Sequence, residues 1–325
     1  MRADLLRRTV WHPLTEEMLR PLAPETVVVQ VDGTLTGPEF ARLNELLRGY
    51  PTVSLRVFVF SGQSGPSDLD FLEHMPGLRA LEAGWPDIRD FQGLAAVADS
   101  LVSLSLGSTR RKTSLEPLRR LTSLVDLSWG GSCADLAAIA ALPSLRELSL
   151  TAVPLTEVLG GPFSGSLEAL TLHSAVRQAR LELPESLNGL RFLQVERDTK
   201  VADIDAVGEL RHLEFLSLDH LPALTRLPAF SGLPRLERLE LFGLKRLADL
   251  SAVKAAPALR EIVLSQLPLK APAVVEALAG LPLRKATLGL DSRKEEQAAM
   301  EQMLLPSASR SSPWSIPWIR RPIDR

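Results

Sequence analysis

Residues 190–241 read LRFLQVERDTKVADIDAVGELRHLEFLSLDHLPALTRLPAFSGLPRLERLEL. Three copies of Leu-x-x-Leu-x-Leu open there at Leu190, Leu213 and Leu236, each 23 residues after the last. The second and third leucines of a copy stand two apart, so they share one face of a strand. The remainder of each copy must turn and run back. Its apolar residues recur at every third position: Val201, Ile204, Val207 and Leu210; Leu224, Leu227, Phe230 and Leu233; Leu247, Leu250, Val253 and Ala256. That spacing suits a 3-10 turn or a short helix. One copy cannot bury both stripes alone, and stacking joins them into a continuous core.

The motif continues in both directions. It reads LRVFVF from Leu55, LRALEA from Leu78, LVSLSL from Leu101, LVDLSW from Leu124, LRELSL from Leu145 and LEALTL from Leu167. After Leu236 it returns as LREIVL from Leu259 and LRKATL from Leu283. Successive starts lie 21 to 24 residues apart, and a degenerate copy, TVVVQV from Thr26, stands 29 residues before Leu55. A fixed period of this length marks a repeat architecture. The expected fold is α/β: a curved right-handed solenoid with a parallel concave sheet of about 11–12 strands and helical or 3-10 return segments on the convex side.

Over residues 26–290 the pattern resembles the leucine-rich-repeat superfamily, and VADIDAVGELRHLEFLSL is similar to its 22-residue class, found in internalins and in a phosphatase-regulatory subunit. The resemblance implies a scaffold that recognises a partner protein through the concave face. It also allows a regulatory or immunity-type subunit that inhibits a bound enzyme. Some bacterial members are ubiquitin ligases, but with a separate large catalytic segment that has no room here. The family usually carries Asn after the third leucine, where its amide bonds the backbone of neighbouring turns. Here those positions hold Thr109, Ser132, Val153, Ala175, Asp198, Leu221, Leu244 and Leu267. The turns must therefore satisfy their backbone groups in another way.

An open stack needs capped ends. Residues 1–25 are the expected N-terminal cap, with Leu5, Leu6, Val10, Trp11, Leu14 and Met18 over the first coil and Thr15-Glu16-Glu17 starting a short helix. TGPEFARLNELLRGY (36–50) reads as an internal helix, and 291–304 as a capping helix with Met300, Met303 and Leu304 inward. Residues 305–325, rich in Pro, Ser and Arg, read as a flexible tail. Its Trp314, Trp318, Arg320 and Arg321 form either a short linear binding motif or part of an inert tail.

The chain of 325 residues is 45% hydrophobic and 23% charged, with a net charge of −2. Near-neutrality gives no prior for nucleic acid or an anionic membrane. The single cysteine, Cys133, excludes an internal disulfide and any Cys-cluster metal site. No apolar run approaches the ~20 residues of a membrane span, and the charged N-terminus lacks a signal core. The expectation is a cytoplasmic monomer, bacterial by its bias to Arg over Lys and its many Ala residues.

Residues between the core leucines should point outward from the sheet. Ser105, Ser128, Ser149 and Thr171 form an expected hydroxyl row, read as bonding across strands. The informative stretch is Leu190 to Phe242. There Phe192 and Phe215 should lie side by side, with Arg238 continuing their row, Glu196 beside Asp219, and Phe242, Glu240, Arg197 and His220 close by. Exposed aromatics among Arg and acids have the composition of a binding hot spot. Trp85 is a second candidate contact or a turn filler, and Trp129 is core.

No HExxH, CxxC, GxxxxGK[ST] or GxSxG motif occurs. His173, Glu196 and Asp219 share one offset on successive strands, which places a histidine near acids. A charged surface row is the blander explanation. His220 is expected to point away from Asp219, and Cys133 to be an inert thiol. No catalytic residue, metal or cofactor is expected.

Overall fold

The computed structural model describes residues 6–303, apart from 33, 34, 59–65, 86, 108, 110, 160–162, 164–166, 291 and 292. Leu5, Val59, Ser61, Leu304 and the 305–325 tail lie outside the described residues. The described chain divides into two compact units: one holds 6–148, 157–159 and 163, the other 149–156 and 167–303.

In the first unit, strands β1 (Arg7–Trp11), β2 (Val28–Asp32), β3 (Ser54–Phe58), β4 (Ala80–Ala83), β5 (Ser103–Leu106) and β7 (Asp126–Gly130) pair in that order, all parallel. Two further short strands, β6 (Thr113–Ser114) and β8 (Cys133–Ala134), pair beside them. Strand β9 (Glu147–Thr151) spans the division between the units. In the second unit, β10 (Ala169–His173), β11 (Phe192–Glu196), β12 (Phe215–Asp219), β13 (Arg238–Phe242), β14 (Glu261–Ser265) and β15 (Lys285–Gly289) run parallel in chain order. Leucines two apart, such as Leu216 and Leu218, are fully buried on one side of this sheet.

Short return segments follow the strands. The expected threefold stripes fall on 3-10 turns at Asp205–Glu209, Phe230–Gly232 and Ser251–Ala255, and Val207, Phe230 and Val253 are fully buried. Several of these turns start on an aspartate whose carboxylate accepts the N–H two residues on. Asp68 takes Asp70, Asp90 takes Gln92, Asp203 takes Asp205 and Asp249 takes Ser251, at 2.8–3.2 Å. This Asx geometry satisfies an otherwise orphan donor at each turn.

Helix α1 (Gly37–Arg48) follows β2 where the sequence predicts it. Its Glu39 carboxylate accepts the backbone N–H of Leu14 and of Thr36, both at 2.7 Å. These bonds, with that to His12, hold its pKa down to about 2. Single turns α2 (Ala137–Ala140) and α3 (Leu155–Val158) come next. Helices α4 (Ala271–Leu278) and α5 (Arg293–Met303) pack together, and α5 lies against β15. Ala299 is its buried residue, while Met300 and Met303 are half-buried.

Three expectations need correction in the first unit. Leu55 pairs with Leu81 and Val29 with Leu55, so the first copies open at Thr26 and Thr52 and are 26 residues long. The run Val53, Leu55, Val57 and Val59 alternates, so it fits the motif in more than one register. Val57 is therefore interior, and Arg56 faces outward, bonding Glu82 at 2.7 Å. The N-terminal segment carries a strand, β1, that the motif does not announce. Thr15-Glu16-Glu17 opens a turn, with Leu19 N–H donating to Glu16 O, rather than a helix. Val10 and Leu14 are buried as expected, whereas Leu6 and Trp11 are exposed.

Candidate functional site

The register of the second unit fixes three outward rows. Ala169, Phe192, Phe215, Arg238, Glu261 and Lys285 are successive partners in one. Thr171, Gln194, Ser217, Glu240 and Val263 form the next, and His173, Glu196, Asp219, Phe242 and Ser265 the third. The sequence-derived neighbours are thus brought together.

Phe192 and Phe215 stack face to face, with centroids 4.4 Å apart and planes 7° apart. Such offset or parallel pairs contribute about 0.5–1.5 kcal/mol beyond their area. The rings are not exposed, as was expected of them. They are 0% and 1% accessible, with Ala169 completing a small apolar cluster. Flat rings at neighbouring strand spacing shield one another's faces, and Ala169 and Arg238 flank them in the row.

Beyond the phenyls the row is ionic. Arg238 donates Nε and Nη2 to Glu240 Oε1 at 3.0 and 2.8 Å, and its Nη1 meets Glu261. Lys285 Nζ lies 3.3 Å from the other Glu261 oxygen. Arg238 and Glu240 are buried, so desolvation makes this pair costly to break and a weak stabiliser in itself.

The third row splits into two pairs. His173 Nδ1 lies 2.9 Å from Glu196 Oε1. Asp219 pairs instead with His220, correcting the expectation that the two side chains diverge. The cause is the backbone: His220 has φ +52, a left-handed turn that swings its ring back over the strand end. The ring stands 6.0 Å from that of Phe242, and a Cβ on Gly243 would meet it at 3.0 Å. Arg197 and His220 are exposed, and Glu196 and Phe242 partly so.

That left-handed residue recurs after β7 and after each strand from β9 to β14: Gly131, Ala152, Ser174, Arg197, His220, Gly243 and Gln266. From Ala152 on, its N–H donates to the last carbonyl of the following strand, as in Arg197 to Asp219 and His220 to Phe242. This backbone ladder, together with buried Val153, Ala175, Leu221, Leu244 and Leu267, stands where asparagines are missing. Asp198 alone among them plays the amide's part, accepting Val176 N–H at 2.9 Å and Ala175 N–H at 3.3 Å. Burial pushes its pKa up to about 6 against those two bonds. The left-handed position was not read from sequence because only two of its seven residues are glycine.

Trp85 does not belong to the site. It is buried, and its indole N–H donates to Pro66 O at 2.6 Å, which makes it a core turn filler. Trp129 is core, and buried Cys133 has its thiol pushed up to about 12 by desolvation. In the first unit, Ser105 pairs with Ser128 in register, as the hydroxyl row requires. Among the described residues, no group of three or more His, Cys, Asp or Glu is placed to hold a metal, and no helix is long and apolar enough to cross a membrane. A cleft on the return side, lined by Glu185, Asn188, Glu209, Arg211 and His212, includes none of the residues anticipated from the sequence.

Repeated parallel strands with 3-10 returns define a leucine-rich-repeat solenoid. An internalin (inlF) from Listeria monocytogenes has the same fold, with 17% identity and a TM-score of 0.53 over 92% of this chain and 90% of that one. The TLR13–ssRNA13 complex matches at 19% identity and a TM-score of 0.48, over 85% of this chain and 37% of that one. Internalin C2 from Listeria monocytogenes matches at 22% and 0.38, over 68% of this chain and 83% of that one. No protein-family profile matches the chain, and no curated protein matches it in sequence. Identity this low establishes fold, not function.

Proposed function

We propose that the chain is a scaffold that binds a partner protein through the outward face of β10–β14, the concave face of the expected solenoid. One observation carries this reading: a preorganised mixed face, in which the Phe192–Phe215 stack adjoins the Glu240–Arg238–Glu261 cluster, with Glu196, Arg197, His220 and Phe242 accessible along its border. Side chains fixed by one another lose little entropy on binding. Aromatic residues and Arg dominate binding hot spots. The proposed role needs no catalytic step, metal or cofactor, and we place it in the cytoplasm.

The test is retention of proteins by the immobilised full chain, compared with Glu196→Lys/Arg197→Glu. Both side chains reach solvent, so the variant should keep its fold. The expected result is loss of a specific retained protein. An unchanged set of retained proteins removes the site.

A further inference from the structure

Strand β1 (Arg7–Trp11) is an edge: it pairs with β2, and no strand among the described residues takes its other side. Three large apolar side chains stand exposed among the described residues, and all three belong to this end: Leu6 at 46%, Trp11 at 49% and Val27 at 37%. Leu6 and Val27 are neighbours, since Val27 N–H donates to Leu6 O at 2.9 Å. A monomer usually blunts such an edge with proline, lysine or a bulge, because unpaired backbone groups recruit another strand. The strand reads RRTVW, with neither proline nor lysine. Its inward-row charge, Arg8, is held by the carbonyls of Arg20 and Pro21.

The register tells which backbone groups face the open side. Val28 N–H donates to Leu6 O, and the direction alternates along a strand, so Leu6, Arg8 and Val10 turn towards β2. Arg7, Thr9 and Trp11 therefore aim their N–H and C=O groups away from it. The same three residues hold the outward row, in register with Val28, Gln30 and Asp32. Arg7 and Trp11 are exposed, and Thr9 is half-buried.

We propose that this edge pairs with β1 of a second copy of the chain, antiparallel about a two-fold axis at Thr9. The strand is its own complement in that arrangement. Thr9 faces Thr9, and Arg7 of each copy faces Trp11 of the other, a guanidinium against an indole. The residues that meet are those whose backbone groups face the open side, so the three pairs exchange about six hydrogen bonds. A two-fold contact uses one patch twice, and Leu6 falls inside it. An unrelated strand would satisfy the backbone without matching these side chains. The proposal sets aside the expected monomer and uses none of the residues of the face proposed above.

Sedimentation velocity of the full chain over about 1–100 µM tests it. Wild type should reach twice the mass of one chain. Thr9→Pro removes an N–H that faces away from β2, so it should keep the fold and lose the dimer. Arg7→Glu and Trp11→Lys should each weaken association on the order of 10-fold or more. The first takes the cation from the indole, and the second sets two cations opposite one another. Combined, they should restore the dimer, because an acid then faces a base in both halves of the contact. Circular dichroism checks each fold, and the charge series decides if Thr9→Pro unfolds. A monomer at every concentration, a dimer indifferent to Thr9→Pro, or a combined variant as dissociated as the single ones overturns the proposal. A monomeric wild type that retains a different protein, lost with Thr9→Pro, would overturn it in favour of a foreign strand.

Discussion

Asp198 Oδ1 accepts the backbone N–H of Val176 at 2.9 Å, across one repeat, from a position where this fold usually uses an amide. The carboxylate is buried and its folded pKa, about 6, lies above the ordinary 3.8. The folded state therefore holds the proton more tightly than the unfolded one. This group costs stability above pH ~6, on the order of 2–3 kcal/mol, and the cost vanishes as pH falls below about 4. Asp198→Asn keeps an acceptor for Val176 without the charge. Thermal melts should show it more stable than wild type at pH 7.5 and nearly equal at pH 4. A variant less stable at pH 7.5 contradicts the assignment.

The Phe192–Phe215 stack should appear as coupling. Phe192→Leu and Phe215→Leu should each destabilise the protein, by about 1 kcal/mol, and the double variant by less than their sum. Urea denaturation of the four-member cycle should give a coupling of roughly 0.5–1.5 kcal/mol. Strict additivity would show that the rings are neighbours without interaction.

Arg238 stands between Glu240 and Glu261. Arg238→Met takes the guanidinium away from buried Glu240 and from Glu261, which keeps Lys285, and should cost about 3–5 kcal/mol. Adding Glu240→Leu should recover a good part of it, because the buried carboxylate that lost its guanidinium leaves with it. A second substitution that adds to the loss would contradict the ionic account.

The left-handed positions give opposite predictions for two residues. Gly243 has φ +64 and His220 close above it, so Gly243→Ala should destabilise by about 1–2 kcal/mol. Exposed Gln266 pays for φ +53, and Gln266→Gly should be neutral to stabilising, by up to about 1 kcal/mol. Calorimetric melts of both decide it, and the same sign for both would contradict the backbone argument.

Much of this was legible. Leucine spacing located the strands from β4 onward except the short β6 and β8, and offsets alone put Phe192 beside Phe215 and Glu196 beside Asp219. Spacing fails where side chains do not carry the signal. Val53, Leu55, Val57 and Val59 fit more than one register, and β1 has no leucine pattern at all. The turn that aims His220 at Asp219 is a backbone property hidden under Ala, Ser, Arg, His and Gln. Burial was misjudged for Phe192 and Phe215 because outward direction on a sheet does not by itself mean access to water.

The central claim is that recognition lies on the outward face of β10–β14. Its most direct test is the affinity of a retained partner for the wild-type chain, for Glu196→Lys/Arg197→Glu, and for Glu209→Lys/Arg211→Glu in the return-side cleft. The account predicts a loss on the order of 10-fold or more for the first pair and none for the second. Loss with the cleft pair alone, at unchanged affinity for the face pair, would contradict it.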